Sequence, residues 1–241
     1  MRQIVGFDRR IKRHWLDALL DRVLLETEKA KLRAFVNRLL SKDHSGPEAR
    51  GKTATVLMRT WVLVPPHHTS IRQQALELLP AIPSQDRLLL HWGMALLAYP
   101  FFRDAAAATG RLLRLQDDFT LLQLQRRLIE RWGDRSTVKR ASQRIVRSMV
   151  DWSVIRDGSA RGHFQAAAQP MAGSKASQLW LLQAALAAEA AEVLESKQLL
   201  NLPTLFPFKI TVGLGDIRRA KGFTTHRQGL NMEMVGVGVP K

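Results

Sequence analysis

Apolar residues recur every three or four positions along most of the chain before residue 200, a spacing that predicts amphipathic helices. Within residues 8–41 this repeat is interrupted only by the polar stretch 26–29, where the segment can divide into two helices. Residues 53–64 fit either a helix or a strand and end at two prolines. The other helices of this pattern are predicted over 70–79, 84–99, 100–115 and 174–200.

The C-terminal part of the chain has a different pattern. Residues 206–212 and 230–239 alternate apolar and polar side chains, which is the period of a half-buried strand. Residues 215–222, between them, fit a turn of helix. The predicted fold class is therefore mainly α, a helical bundle with a small C-terminal β-sheet.

Two helices in the middle of the chain are separated by a short turn. Thr120 is a good N-cap, and the apolar residues after it follow the helical repeat as far as Trp132. Gly133 suits the position just past a helix C-terminus. A second helix follows, capped by Asp134 or Ser136.

The second helix is predicted to bury one side and to expose a basic one. Its apolar stripe is Val138, Ala141, Ile145, Met149 and Trp152. The opposite side carries Lys139, Arg140, Gln143, Arg144 and Arg147. Between Arg135 and Arg147 there are five cations and no acid.

A hairpin is predicted after the second helix, around Asp157-Gly158. Helix, glycine turn, basic helix and hairpin together indicate a winged helix-turn-helix, with Arg161 in the wing. We therefore expect three units, namely a helical domain over 1–115, a winged helix-turn-helix over 116–170, and a long helix plus a small α+β region over 171–241.

The charge balance indicates the kind of partner. The chain has 241 residues, 37 Lys plus Arg against 21 Asp plus Glu, and a formal net charge of +16. Of these cations 26 are arginine, which suits bidentate phosphate contact. The electrostatic field of such an excess of positive charge favours nucleic acid or an anionic surface as the partner. In a winged helix-turn-helix the second helix enters the major groove, and Arg and Gln can read guanine and adenine edges.

The predicted site is therefore a nucleic-acid interface, with double-stranded DNA as the expected partner. Its residues are Arg135, Lys139, Arg140, Gln143, Arg144, Arg147 and Arg161. A second basic area, Arg218, Arg219, Lys221 and Arg227, can extend the footprint or can simply be solvated. A helical scaffold that holds protein partners, with this basic side merely solvated, is the alternative interpretation.

Enzymatic interpretations rest on two short motifs. "GPEARGKT" at 46–53 fits the phosphate-binding loop of many nucleotide hydrolases, but it follows an amphipathic helix instead of a buried strand. We interpret it as a loop that leads into a helix. Glu195 and Lys197 have the spacing found in some nucleases, but are predicted to end the alanine-rich helix. We therefore expect no enzymatic activity, no cofactor and no metal site.

Cellular location is indicated only by absences. There is no cysteine, and no apolar run follows the charged N-terminus, so a cytoplasmic protein is expected. The most apolar segment, 88–102, is shorter than a membrane-spanning helix and contains His91, so we predict a buried helix and no membrane association.

The order of segments in the middle of the chain is similar to that of a known family. "RTWVLVPP", "LELLP", "LLLHWGMALLAYPFFRD" and "STVKRASQRIVRSMVDWSVI" occur in this order over about residues 55–155. They resemble the BrxA family of BREX phage-defence islands, which are mostly helical proteins with winged-helix-like parts that bind DNA. The resemblance implies an accessory DNA-binding role in a multi-protein defence complex, and no catalysis. A transcriptional regulator is the alternative.

Overall fold

The computed structural model describes residues 4–167, 172–229 and 232–238. Within them the chain is mainly helical, with two small antiparallel three-stranded sheets. The predicted mainly α class is confirmed. The helices before the first sheet are α1 (Arg13–Val23), α2 (Lys29–Ser41), α3 (Pro47–Trp61), α4 (Thr69–Leu78), α5 (Arg87–Ala98) and α6 (Pro100–Leu115).

The N-terminal helices divide where the polar stretch predicted a break, since α1 ends at Val23 and α2 begins at Lys29. The expected loop before residue 53 is wrong, because α3 already begins at Pro47. Proline suits this first position, where its missing N–H would have no helical partner.

The apolar segment 88–102 contains nearly all of the buried helix α5 and the first turn of α6. Tyr99 is extended, and Pro100 begins α6. Gly93 of α5 faces Trp180, and a Cβ at this glycine would lie 2.5 Å from the Trp180 ring. This glycine therefore allows the close contact between α5 and the later helix α9 (Lys175–Ala188).

The strands of the first sheet flank a helix pair along the chain. Strand β1 (Asp118–Thr120) precedes α7 (Leu121–Trp132) and α8 (Ser136–Asp151), and β2 (Ile155–Asp157) and β3 (His163–Ala166) follow. All pairing is antiparallel, and the strand order is β1-β3-β2. The pairing of β2 with β3 was predicted, whereas β1 was not.

The C-terminal sheet is present, and its last strand, β6 (Met232–Val237), lies within the predicted strand 230–239, whereas its other two strands were not predicted. The alanine-rich helix α9 (Lys175–Ala188) ends early, and β4 (Val193–Glu195) and α10 (Ser196–Leu200) follow it. The predicted helix to residue 200 is therefore wrong, because residues 193–195 pair with β6. After α11 (Leu214–Arg219), the sheet is completed by β5 (Phe223–Gln228) and β6 (Met232–Val237) in the order β4-β6-β5.

The strand predicted over 206–212 is also wrong. A turn of 3-10 helix over Pro203–Leu205 precedes this segment. The side-chain Oε1 of Gln178 accepts hydrogen bonds from the amides of Thr211 (2.7 Å) and Val212 (3.2 Å). Apart from an isolated β-bridge at Phe208, these residues therefore pack as irregular chain held by a buried glutamine, and Phe208 and Val212 are buried without forming a strand.

One hydrophobic cluster contains buried residues from all three predicted units, from Val5 to Val235. All six tryptophans are at most 6% exposed and belong to the core. Buried His91 is satisfied, because Nδ1 accepts from Trp61 Nε1 (3.0 Å) and Nε2 lies 3.0 Å from Asp17 Oδ1. The indole can only donate, so the Nε2 of His91 carries the proton.

Candidate nucleic-acid interface

A capping box fixes the start of α7. The Oγ1 of Thr120 accepts from the amide of Gln123 (3.2 Å), and the Gln123 side chain accepts from the amide of Thr120 (2.7 Å). Gly133 ends the helix with φ 80° and ψ 156°, a conformation that favours glycine. The turn that sets the direction of α8 therefore depends on local residues that the sequence identified.

Helix α8 buries the predicted stripe. Val138, Ala141, Ile145 and Met149 are 0% exposed and Trp152 is 1% exposed. The expected cap is wrong in detail, because Arg135 occupies the N-cap position and no side chain caps the helix.

The C-terminal end of α8 is braced by the N-terminal segment. The amide of Ile11 donates to Ser148 Oγ (2.8 Å), and Trp152 Nε1 donates to the carbonyl of Ile11 (2.9 Å). Arg10 adds a bidentate ion pair with Asp151. These contacts fix the rotation of α8 about its axis, which determines the residues that face outward.

The outward side of α8 presents Arg140, Gln143 and Arg144, all exposed. Among the residues that the structure describes, these three side chains make no hydrogen bond, ion pair or ring contact. Two guanidinium groups and an amide are thus available to a ligand, on one face and within two helical turns.

The two cations nearest the start of α8 are partly engaged. Lys139 Nζ lies 2.7 Å from Asp134 Oδ1, with both side chains about half exposed or more. Arg135 Nε donates to the carbonyl of Trp132 (3.2 Å). Gln125 of α7 donates to the carbonyl of Lys139 (3.0 Å), which links the two helices beside this face.

Arg147 differs from the other cations of α8 because it bridges to the β2–β3 hairpin. Its Nη1 lies 2.9 Å and 3.2 Å from the two carboxylate oxygens of Asp157 on β2. Its guanidinium also lies over the Phe164 ring of β3, 5.4 Å from the centroid. These contacts hold the hairpin against the helix.

The loop 158–162 of the hairpin is short and exposed at its tip. Gly158 donates to the carbonyl of His163 (2.8 Å), and Gly162 has a φ of 79°. Arg161 is exposed at this tip and has no partner among the described residues. Arg156 of β2 is also exposed and without a described partner, and the sequence reasoning missed it, since a single arginine in a three-residue strand gives no signal.

The second basic area is partly neutralised, because two of its four cations form ion pairs. Arg218 pairs with Glu233, and Arg219 lies 2.8 Å from Asp216. Arg227 lies opposite the same Glu233 in the β5–β6 register. This area therefore offers less free positive charge than the outward side of α8.

The two short enzymatic motifs adopt other structures. Residues 47–53 form the first turns of α3, where Lys52 pairs with Glu48 and Thr53 Oγ1 donates to the carbonyl of Ala49 (2.9 Å). No phosphate-binding loop is formed at this position. Glu195 ends β4, whereas Lys197 lies in α10. Within the described ranges, no three His, Asp or Glu side chains cluster as ligands for a metal ion.

Comparison with protein-family models, curated proteins and solved structures gives no match to this chain. In the part of the chain that the structure describes, no helix is both long and apolar enough to cross a lipid bilayer.

Proposed function

We propose that this chain is a non-enzymatic protein that binds double-stranded DNA. In this proposal residues 118–166 act as a winged helix-turn-helix, with α8 as the recognition helix and the β2–β3 hairpin as the wing. The order strand, helix, turn, helix and antiparallel hairpin supports this assignment, as does the position of the hairpin directly after the basic helix.

The observation that carries the proposal is the outward side of α8. Arg140, Gln143 and Arg144 are exposed, point away from the core and have no partner among the described residues, on a chain of net charge +16. A solvated surface of this size would ordinarily carry both signs of charge. Unpaired arginines beside a glutamine are instead suited to phosphates and to base edges in the major groove.

Each side chain of this interface then has a distinct role. Arg140, Gln143 and Arg144 contact the groove, and Lys139 and Arg135 lie nearer the phosphates at the start of α8. Arg161 and Arg156, in the wing, contact the phosphate backbone of the DNA. Arg147 acts indirectly, because its ion pair with Asp157 and its contact with Phe164 position the wing.

The test compares two double variants of equal charge. Arg140→Glu plus Arg144→Glu lowers the net charge by four, and Lys29→Glu plus Arg38→Glu does the same on the exposed side of α2. Affinity for a short labelled duplex is measured by fluorescence anisotropy between about 50 and about 200 mM KCl.

The α8 variant is expected to lose about 100-fold in affinity, taking about tenfold for each arginine contact. Its slope of log K against log salt should become shallower only if a phosphate contact is lost as well, by about 0.9 for each such contact. The α2 variant should remain within a few-fold of wild type. Equal losses in the two variants would show that only the net charge matters, and the site assignment would then be wrong.

We further propose that this DNA binding serves a bacterial phage-defence system of the BREX kind. The support is the resemblance of residues 55–155 to the BrxA family. Co-purification of the wild-type chain with other defence proteins tests this role, and its absence would contradict it. Co-purification that is retained in the α8 variant would show that the protein contacts do not depend on DNA binding.

A further inference from the structure

A cleft separate from the outward side of α8 lies between α6, the ends of the β2–β3 hairpin and the chain that follows α10. Its volume is about 400 Å³, within the range of small-molecule sites. The residues that line it include apolar side chains of all these segments and two cations, Arg114 and Lys209. The residues that we assign to DNA contact do not line this cleft.

Gly110 allows one wall of the cleft to form. A Cβ at this position of α6 would clash with the carbonyl oxygen of Pro203 and would lie 2.9 Å from the Cβ of Phe206. The turn Pro203–Leu205 therefore packs directly on α6, and the Phe206 side chain that follows it lines the cleft.

The walls of the cleft are apolar and still partly open to water. Leu113, Leu200, Phe206 and Ile210 all line it, and each of them is only partly buried. A ligand that covers these side chains removes apolar surface from water, which is favourable. The body of a complementary ligand is therefore apolar.

The charged groups of the cleft are both positive and both within reach of a ligand, since Arg114 and Lys209 are exposed. Arg114 Nη2 donates to the carbonyl of Asn201 (3.0 Å), which holds the guanidinium beside another residue of the cleft. Arg114 Nε and Nη1, and Lys209 Nζ, have no partner among the described residues. None of the described residues that line the cleft is acidic, so the polar group that complements it is an anion.

We propose that this cleft binds a small organic carboxylate with an apolar body, an alkyl chain or an aromatic ring. A planar carboxylate accepts two hydrogen bonds from one guanidinium, here that of Arg114, and Lys209 supplies a second positive charge. The chain or ring covers the apolar walls. This proposal does not rest on DNA binding by α8.

The experiment titrates the chain by calorimetry at constant ionic strength, with octanoate and 3-phenylpropanoate as separate probes. The alcohols 1-octanol and 3-phenylpropanol carry the same apolar bodies without the charge, and acetate carries the charge without such a body. At least one of the two carboxylates is expected to bind at a single site. Its matched alcohol and acetate should each bind at least about tenfold more weakly.

Arg114→Gln and Lys209→Gln test the two cations. Each is expected to weaken carboxylate binding by about five- to tenfold and to leave the weak binding of the alcohol unchanged. Arg111→Gln is the matched control, because Arg111 is an exposed arginine of the same helix and does not line the cleft. It should bind the carboxylate as wild type does.

The proposal is overturned if neither carboxylate binds the wild-type protein, or if the alcohols bind as tightly as the carboxylates. Unchanged carboxylate binding in both Arg114→Gln and Lys209→Gln would also overturn it. So would an equal loss in Arg111→Gln and Arg114→Gln, because the net positive charge of the chain would then account for the binding.

Discussion

Asp134 and Asp157 each hold one cation of α8, yet replacing them with asparagine is expected to change DNA affinity in opposite directions. Asp134 pairs with Lys139, which we assign to phosphate contact. Asp157 pairs with Arg147, which we assign to positioning the wing. Each substitution removes one negative charge near the proposed interface, so simple electrostatics predicts tighter binding for both.

The expected size of each change in affinity follows from the solvent exposure of the paired side chains. The side chains of Arg147 and Asp157 are 41% and 57% exposed, so their pair contributes at most about 1 kcal/mol. Loss of that positioning energy weakens DNA binding by about 2- to 5-fold in Asp157→Asn. Asp134→Asn instead releases Lys139, which should tighten binding and steepen the salt slope by about 0.9. Neither variant should lose more than about 1 kcal/mol of folding stability.

The assay is fluorescence anisotropy with one labelled duplex over a KCl series, with urea unfolding of each variant as the control for folding. A charge exchange, Arg147→Asp plus Asp157→Arg, should recover part of the affinity lost in Asp157→Asn. If Asp157→Asn binds more tightly than wild type and its salt slope steepens, Arg147 contacts phosphate and the positioning role is wrong. If wild type does not bind duplex at all, the proposed function itself fails.

Two predictions concern stability. Thr120→Ala removes one half of the capping box of α7 and should cost about 1 kcal/mol in urea unfolding, and an unchanged midpoint would show that the cap is not needed. Burial, together with the neighbouring charge of His67, lowers the pKa of His68 to about 4, so the unfolded chain takes up a proton that the folded chain resists. Stability should therefore be constant above pH 6.5 and fall toward pH 4, and the fall should be smaller in His68→Gln; equal urea midpoints for the two proteins across this range would contradict it.

The helix pair could be predicted because its signals are local. Thr120, Gly133 and the stripe from Val138 to Met149 each act within one or two turns, and the structure confirms both helices. Strand β1 could not be predicted in the same way, because Asp118–Thr120 becomes a strand only by pairing with β3, more than 40 residues later. Tertiary pairing of this kind overrides local preference.

The outward direction of Arg140, Gln143 and Arg144 was also predictable, since it follows from the helical period opposite the apolar stripe. The contacts of Arg147 with Asp157 and Phe164, which set it apart from the other cations, were not predictable. The sequence shows acids at 134 and 157, but only the fold shows which cation each acid meets. The error at 206–212 has a similar cause, because only the fold shows that the amides of Thr211 and Val212 donate to the Gln178 side chain instead of to a neighbouring strand.

The brace between Ile11 and the last turn of α8 has a consequence for engineering. A fragment cut at residues 116 and 167 would lose the partners of Ser148 and Trp152 and expose an indole that is now 1% accessible. The fragment that contains the basic helix therefore cannot be moved into another protein as an independent folding unit. Any transplanted version must include the first dozen residues, or replace Trp152 with a side chain that tolerates water.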